Sequence, residues 1–126
     1  MVTRGKTILF IEDEQELLST VGNLLLDQGY NVIKAENAEK GLTSIQATVP
    51  DLILADIKLP GMDGFDFFEE VRKQSSLAKV PVVFLTAFNN VDAKMYAKKV
   101  GVSEYITKPF DFEYLIARIR DLLPLQ

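Results

Sequence analysis

Residues 51–64 read DLILADIKLPGMDG. Leu52 to Ala55 is an unbroken apolar run, the pattern of a strand buried on both faces. The run ends at Asp56, and Pro60, Gly61, Asp63 and Gly64 then mark a turn. A buried strand that delivers a carboxylate at its end, just before a turn, carries either a turn or helix cap or a reactive group. The rest of the chain separates the two.

Four more short apolar runs lie outward from this one: Ile8 to Ile11, Val32 and Ile33, Val80 to Leu85, and Tyr105 with Ile106. The run within NVIKA is the most mixed and suits a sheet edge. Helical patterns separate them. Leu17, Leu18, Val21, Leu24 and Leu25 share one face at a 3.6 period, with Gly29 placed to stop that helix. A second helix is expected from about Ala38 to Gln46, with Asn37 as N-cap, and a third from Phe65 to about Lys73. A fourth runs from about Val91 to Lys99, with Asn90 before it and Gly101 behind. The last puts Phe112, Leu115, Ile116, Ile119 and Leu122 on one face, capped by Asp111 and ended by Pro124. Strand and helix therefore alternate, which implies βαβ units and a parallel sheet with helices on both faces. The expected fold is α/β: a flavodoxin-like (βα)5 doubly wound sheet of strand order 2-1-3-4-5. One domain is expected over residues 1–126, with its core from about residue 5 to residue 123.

Composition narrows the chemistry. The 126 residues are 48% apolar and fit one domain. With no Cys there is neither a disulfide framework nor a thiolate site, and with no His the commonest general base and transition-metal ligand are missing. A metal would have oxygen ligands, which favours Mg²⁺, Ca²⁺ or Mn²⁺. The net charge of −4 argues against direct nucleic-acid binding, and no apolar stretch is long enough to span a bilayer. MVTRGK runs straight into a strand with no signal-peptide core, so a soluble cytoplasmic protein is expected.

The polar residues fall in a pattern. Glu12 and Asp13 follow the first strand, Asp56 the third and Lys108 the fifth, while Thr86 ends the fourth. In open α/β sheets the ligand site lies at the carboxyl ends of the strands, where the strand order reverses. With the order 2-1-3-4-5, Asp13 and Asp56 face each other at that point. Like charges about 4 Å apart repel by about 4 kcal/mol at an effective dielectric near 20. Lys108 alone is a small answer to three carboxylates, and a divalent cation such as Mg²⁺ is a better one. Such a pocket suits a phosphoryl group, and an Asp carboxylate can be the nucleophile that takes it. Read singly, each residue is ordinary: Asp56 a cap, the acidic pair a complement to a helix end, Thr86 a strand residue, Lys108 a solvated lysine, Tyr105 a core residue. Their joint position at the strand ends favours a site.

These residues resemble the receiver domain of two-component response regulators over nearly the whole chain. The resemblance rests on ILFIEDE, DLILADIKLPGMDG, PVVFLTA and GVSEYITKPF, in that order and spacing. It implies that Asp56 is the phosphoacceptor and that Mg²⁺, or Mn²⁺ in its place, is held by Asp13, Asp56 and the Lys58 carbonyl, with Glu12 acting on the metal or through its waters. It implies further that Thr86, the Ala87 backbone and Lys108 bind the phosphoryl group, that Tyr105 is an aromatic switch, and that Pro109 follows a cis bond. Expected partners are a sensor histidine kinase or histidine phosphotransfer protein. A downstream protein or an output domain would be met through the face of the fourth helix, fifth strand and fifth helix. Met95, Lys98, Lys99 and Tyr105 are candidate contacts there, and dimerisation on phosphorylation is a further expectation. Glu12 stands where Asp is more usual. Lys58 and Phe88, each two residues beyond a site residue, are expected to restrict the attacking water and slow loss of phosphate. The chain would promote its own phosphotransfer and dephosphorylation without a separate turnover substrate.

Three other readings fit less well. An Asp-based phosphohydrolase wants a second Asp two residues after the nucleophile, where this chain has Lys58. A mononucleotide binder wants a Gly-, Ser- or Thr-rich loop after the first strand, where this chain has EDEQE. A scaffold that has lost phosphorylation would not need Asp56, Thr86 and Lys108 together. LPLQ reads as either a natural end or a cut within a linker.

Overall fold

The computed structural model describes residues 5–125; the outer limits of the expected domain, residues 1–4 and 126, lie outside the described residues. The elements in chain order are β1 (Thr7–Ile11), α1 (Gln15–Asp27), β2 (Asn31–Ala35), α2 (Ala38–Ala47), β3 (Leu52–Ala55) and α3 (Gly64–Arg72). A single 3-10 turn (Ser75–Leu77) leads to β4 (Val82–Thr86), α4 (Val91–Val100), β5 (Glu104–Thr107) and α5 (Phe112–Leu122). All pairings are parallel and the strand order is β2-β1-β3-β4-β5. NVIKA is β2 and lies at the edge of the sheet, as its mixed composition suggests. No helix among the described residues is long and apolar enough to cross a membrane.

The strands read as apolar runs because successive side chains feed opposite faces and both faces are covered. Leu9, Ile11, Ile53, Ala55, Val82 and Phe84 pack with Ala38, Ile45, Phe67, Val71 and Ala97 from α2, α3 and α4. Ile8, Phe10, Leu52, Leu54, Val83 and Leu85 pack with Leu18, Val21, Leu25, Leu115 and Ile119 from α1 and α5. Side-chain caps are local: Asn37, Asp63, Asn90 and Asp111 each accept a hydrogen bond from an N–H in the first turn of the following helix. Gly29 (φ 103°) and Gly101 (φ 99°) close α1 and α4 in the left-handed region.

Some limits differ from those the sequence suggests. β4 begins at Val82 rather than Val80, since Pro81 has no N–H to give a ladder. Phe112, expected on the buried face of α5, is 41% exposed and stacks edge-on against Phe110 instead. It is the first residue of the helix, before the turns that reach the sheet.

Register is what positions the polar residues. Ile11 pairs with Ala55, so Glu12 and Asp56 leave the sheet side by side. The Asp56 N–H donates to the Ile11 carbonyl at 3.1 Å, and the Glu12 N–H to Ala35 at 3.0 Å. Thr86 pairs with Thr107, and the Lys108 N–H donates back to the Thr86 carbonyl at 2.8 Å. Beyond Asp56, Ile57 and Leu59 turn into the core and leave Lys58 between them on the outside.

Gly64 closes this loop, its N–H donating to the Ile57 carbonyl at 2.8 Å. A Cβ there would come within 2.5 Å of the Asp56 carbonyl oxygen and 2.7 Å of the Ile57 Cα, both backbone. Gly64→Ala is therefore expected to destabilise the protein by about 1–3 kcal/mol, as overpacking at a rigid site does. Urea unfolding measures this, and an unchanged midpoint would show that the loop yields freely.

Candidate functional site

At the carboxyl edge of the sheet one carboxylate oxygen each from Glu12, Asp13 and Asp56 lies within 4.8 Å of the others. Glu12 and Asp56 are buried and Asp13 is exposed. Lys108, brought over by β5, donates from Nζ to Glu12 Oε1 at 2.8 Å and to Asp56 Oδ2 at 3.0 Å. The other Asp56 oxygen, Oδ1, accepts from the N–H groups of Ile57 (2.7 Å) and Lys58 (3.2 Å). Asp56 thus caps its own turn with one oxygen and faces the cluster with the other. Glu12 Oε2 accepts from the Glu14 N–H at 3.1 Å, which orients the acidic loop at the start of α1.

The charges are unevenly matched. Burial pushes the Glu12 carboxyl above its ordinary value, and hydrogen bonds from Lys108 and the Glu14 N–H only partly offset it. Burial alone would lower the Lys108 amine, but its hydrogen bonds to Glu12 and Asp56 outweigh this and hold it above its ordinary value. Lys108 is therefore a permanent cation near neutral pH. Among the described residues Asp13 has no ion-pair partner. An all-oxygen donor set, part buried and part open to solvent, has the chemistry of a hard divalent cation site.

Thr86 is fully buried at the end of β4, and its Oγ1 accepts from the Phe88 N–H at 3.1 Å. Ala87 follows on the surface. The half-buried Tyr105 stacks edge-on against Phe84 at 6.1 Å and donates from its hydroxyl to the Phe88 carbonyl. Burial first, and the charge of Asp56 second, raise the Tyr105 phenol above its ordinary value, which keeps it a donor. The Lys108–Pro109 peptide is cis. Lys58 Nζ lies 4.2 Å from the centroid of the Phe88 ring, so these two side chains meet each other, with Lys58 exposed and Phe88 partly buried. Met95 is 65% exposed, and Lys98 and Lys99 are exposed beside it on α4.

The structure brings Glu12, Asp13, Asp56 and Lys108 into one cluster and Thr86, Phe88 and Tyr105 into one hydrogen-bonded chain. The sequence did not foretell that Lys108 is shared, with Glu12 the nearer partner. It also gave no sign that the main chain of Phe88 joins Thr86 to Tyr105, since a backbone contact leaves no mark on side-chain identity.

The family profile described as response regulator receiver domain matches residues 8–120. The phosphate regulon transcriptional regulatory protein PhoB of Pseudomonas aeruginosa is 35% identical over 119 residues, 94% of this chain and 52% of that protein. The DNA-binding dual master transcriptional regulator RpaA of Synechocystis is 37% identical over 116 residues, 92% of this chain and 48% of that protein. The chain spans about half the length of these curated relatives. Among solved structures, the chemotaxis protein CheY4 of Vibrio cholerae superposes with a TM-score of 0.89 at 30% identity, covering 94% of this chain and 99% of that one. The non-phosphorylated HemR receiver domain of Leptospira biflexa gives 0.87 at 27% identity, covering 96% of each chain.

The cluster makes one direct prediction. Repulsion of the exposed Asp13 by two buried carboxylates, about 1 kcal/mol per pair at about 4 Å even in bulk water and more near the protein interior, exceeds in sum the roughly 0.3–1 kcal/mol that an acid gains at a helix N-terminus. Asp13→Asn should therefore raise the midpoint of urea unfolding in divalent-free buffer and leave the slope unchanged. A lowered midpoint would mean that the Asp13 carboxylate makes a net favourable contact.

Proposed function

The chain belongs to the response regulator receiver domain family, and from that premise we propose that it accepts a phosphoryl group on Asp56 and relays this state to a partner. The observation that carries the reading is the Asp56 carboxylate, delivered by a buried strand, bound by Lys108 at 3.0 Å and gathered with Glu12 and Asp13. The donor is a phosphohistidine on a sensor kinase or histidine phosphotransfer protein. A carboxylate oxygen of Asp56 attacks phosphorus, the bond to the donor nitrogen breaks, and the imidazole leaves with that electron pair. Loss of the signal is a second displacement: water attacks phosphorus and gives up a proton, the aspartyl P–O bond breaks with its electron pair returning to the Asp56 carboxylate, and inorganic phosphate departs.

Glu12, Asp13, Asp56 and the Lys58 carbonyl are the groups that would hold Mg²⁺, with Mn²⁺ as an alternative. The bound ion supplies neutralisation of charge on the phosphoryl oxygens. Lys108 supplies a positive charge from its place between Glu12 and Asp56 and would follow the phosphoryl group as Asp56 loses its own charge. Thr86 and the Ala87 N–H offer donors to phosphoryl oxygens. When the Thr86 hydroxyl turns toward them, the space and contacts around Tyr105 change, and Tyr105 becomes the readout on the face of α4, β5 and α5. Met95, Lys98 and Lys99 border that face. The output is a separate protein or an output domain, with dimerisation through the same face as one form of it. Pro109 shapes the turn that presents Lys108. The receiver domain works in the cytoplasm, without contacting nucleic acid or membrane itself. It has no separate turnover substrate.

Lys58 and Phe88 form a lid over the approach to Asp56. A cation over an aromatic face at a partly exposed site gains about 0.5–1 kcal/mol, enough to bias the pair toward closure without sealing it.

Two experiments test these statements. Incubation with acetyl phosphate and Mg²⁺, read by intact-protein mass, should add one phosphoryl group to the wild type and none to Asp56→Asn or to wild type without a divalent ion. No gain in wild type, beside a receiver that is modified in the same tube, would sink the reading. Phe88→Ala and Lys58→Ala should each shorten the lifetime of the phosphorylated protein; equal lifetimes would remove the lid.

A further inference from the structure

Helix α2 stands beside the site, and its first turn reaches across to the loops that carry the site's carboxylates. Glu39 belongs to that turn. An acid there suits the helix dipole and needs no other reason to be present. Its side chain does more: Glu39 Oε2 accepts a hydrogen bond from the Met62 N–H, at 3.3 Å, in the loop between β3 and α3. Gly61, next to it, has φ 78°, and a Cβ at Gly61 would lie 2.9 Å from the same Glu39 oxygen. The missing side chain at Gly61 therefore leaves the room that the carboxylate occupies. Glu36, just before the helix, reaches the first residue of α1: its Oε2 accepts from Gln15 Nε2 at 3.1 Å, and Lys40 holds its second oxygen.

The β3–α3 loop is pinned at its start by the buried Ile57 and Leu59 and at its end by the Gly64 N–H on the Ile57 carbonyl. Its middle is exposed at Lys58, Pro60 and Gly61. The bond from Met62 to Glu39 ties that exposed stretch to a rigid helix. Resting on the receiver reading above, we propose that Glu39 is a positioning residue that holds the β3–α3 loop so that the Lys58 carbonyl and Asp56 are presented together to the metal. Glu39 touches neither the metal nor the phosphoryl group. Its effect is transmitted through Met62 and Gly61.

Reach and charge make opposite predictions here. Asp at position 39 keeps the negative charge but is one methylene too short. Gln keeps the length and an acceptor oxygen but loses the charge. Mg²⁺ affinity by calorimetry, and hydrogen exchange of the Met62 amide without metal, are measured for wild type, Glu39→Gln, Glu39→Asp and Glu39→Ala. Glu39→Asp and Glu39→Ala should weaken Mg²⁺ binding by roughly three- to ten-fold and speed Met62 exchange by a similar factor, the size of one net hydrogen bond. Glu39→Gln should stay close to wild type in both. If Glu39→Asp resembles wild type and Glu39→Gln resembles Glu39→Ala, the residue acts by charge and the proposal fails. If wild type binds Mg²⁺ and Glu39→Ala binds it equally well, the proposal fails alone. If wild type binds no Mg²⁺, the receiver reading fails and takes the proposal with it.

Discussion

Lys108 lies between Glu12 and Asp56, 2.8 Å from one carboxylate and 3.0 Å from the other, and Asp13 completes the group without an ion pair among the described residues. Burying carboxylates is costly unless they are paired and hydrogen-bonded. The site meets that cost only in part: one ammonium for two buried carboxylates, two backbone N–H groups for Asp56 and one for Glu12. The elevated Glu12 carboxyl is the remainder made visible. The rest of the fold serves to hold this imbalance in place. Ile11 beside Ala55 and Thr86 beside Thr107 fix which residues leave the sheet at the same level, and a slip of one residue in either register would separate them.

The sequence discloses this much because the governing signals are local. Runs such as LILA and VVFL, short and β-branched or bounded by turn residues, read as strands buried on both faces, and alternation with helices admits few topologies. Once the strand order is set, the ends of strands are fixed in space, and Glu12, Asp13, Asp56 and Lys108 fall together, with Thr86 at the end of the next strand. What stayed hidden depends on side-chain direction or on the main chain. The lean of Lys58 over Phe88 follows from Ile57 and Leu59 turning inward, which period alone does not specify beyond the end of a strand. Glu39 is an unremarked first-turn acid until the loop carrying Met62 is folded against it. The sharing of Lys108 with Glu12 depends on a long side chain choosing between two neighbours about equally near.

Phe88 shows how chemistry at Asp56 can become a change at the surface. Its N–H holds the Thr86 hydroxyl, its carbonyl accepts from the Tyr105 hydroxyl, and its ring receives Lys58. Thr86 is fully buried, and its Oγ1 serves as an acceptor while its O–H is a separate donor. That O–H remains available to donate while Oγ1 accepts from the Phe88 N–H, and the same residue carries the carbonyl that Tyr105 uses. Tyr105 in turn packs on Phe84, Phe84 on Phe65 and Phe65 on Tyr96, edge to face at 6.1, 5.1 and 5.3 Å. Close-packed aromatic contacts of this kind move between discrete arrangements and do not deform smoothly. Phe88 thus places the hydroxyl and the phenol on the N–H and the carbonyl of one residue, so a movement of that residue bears on both. That is the physical requirement for a switch: a local charge event and a bistable element that both bear on the same few atoms.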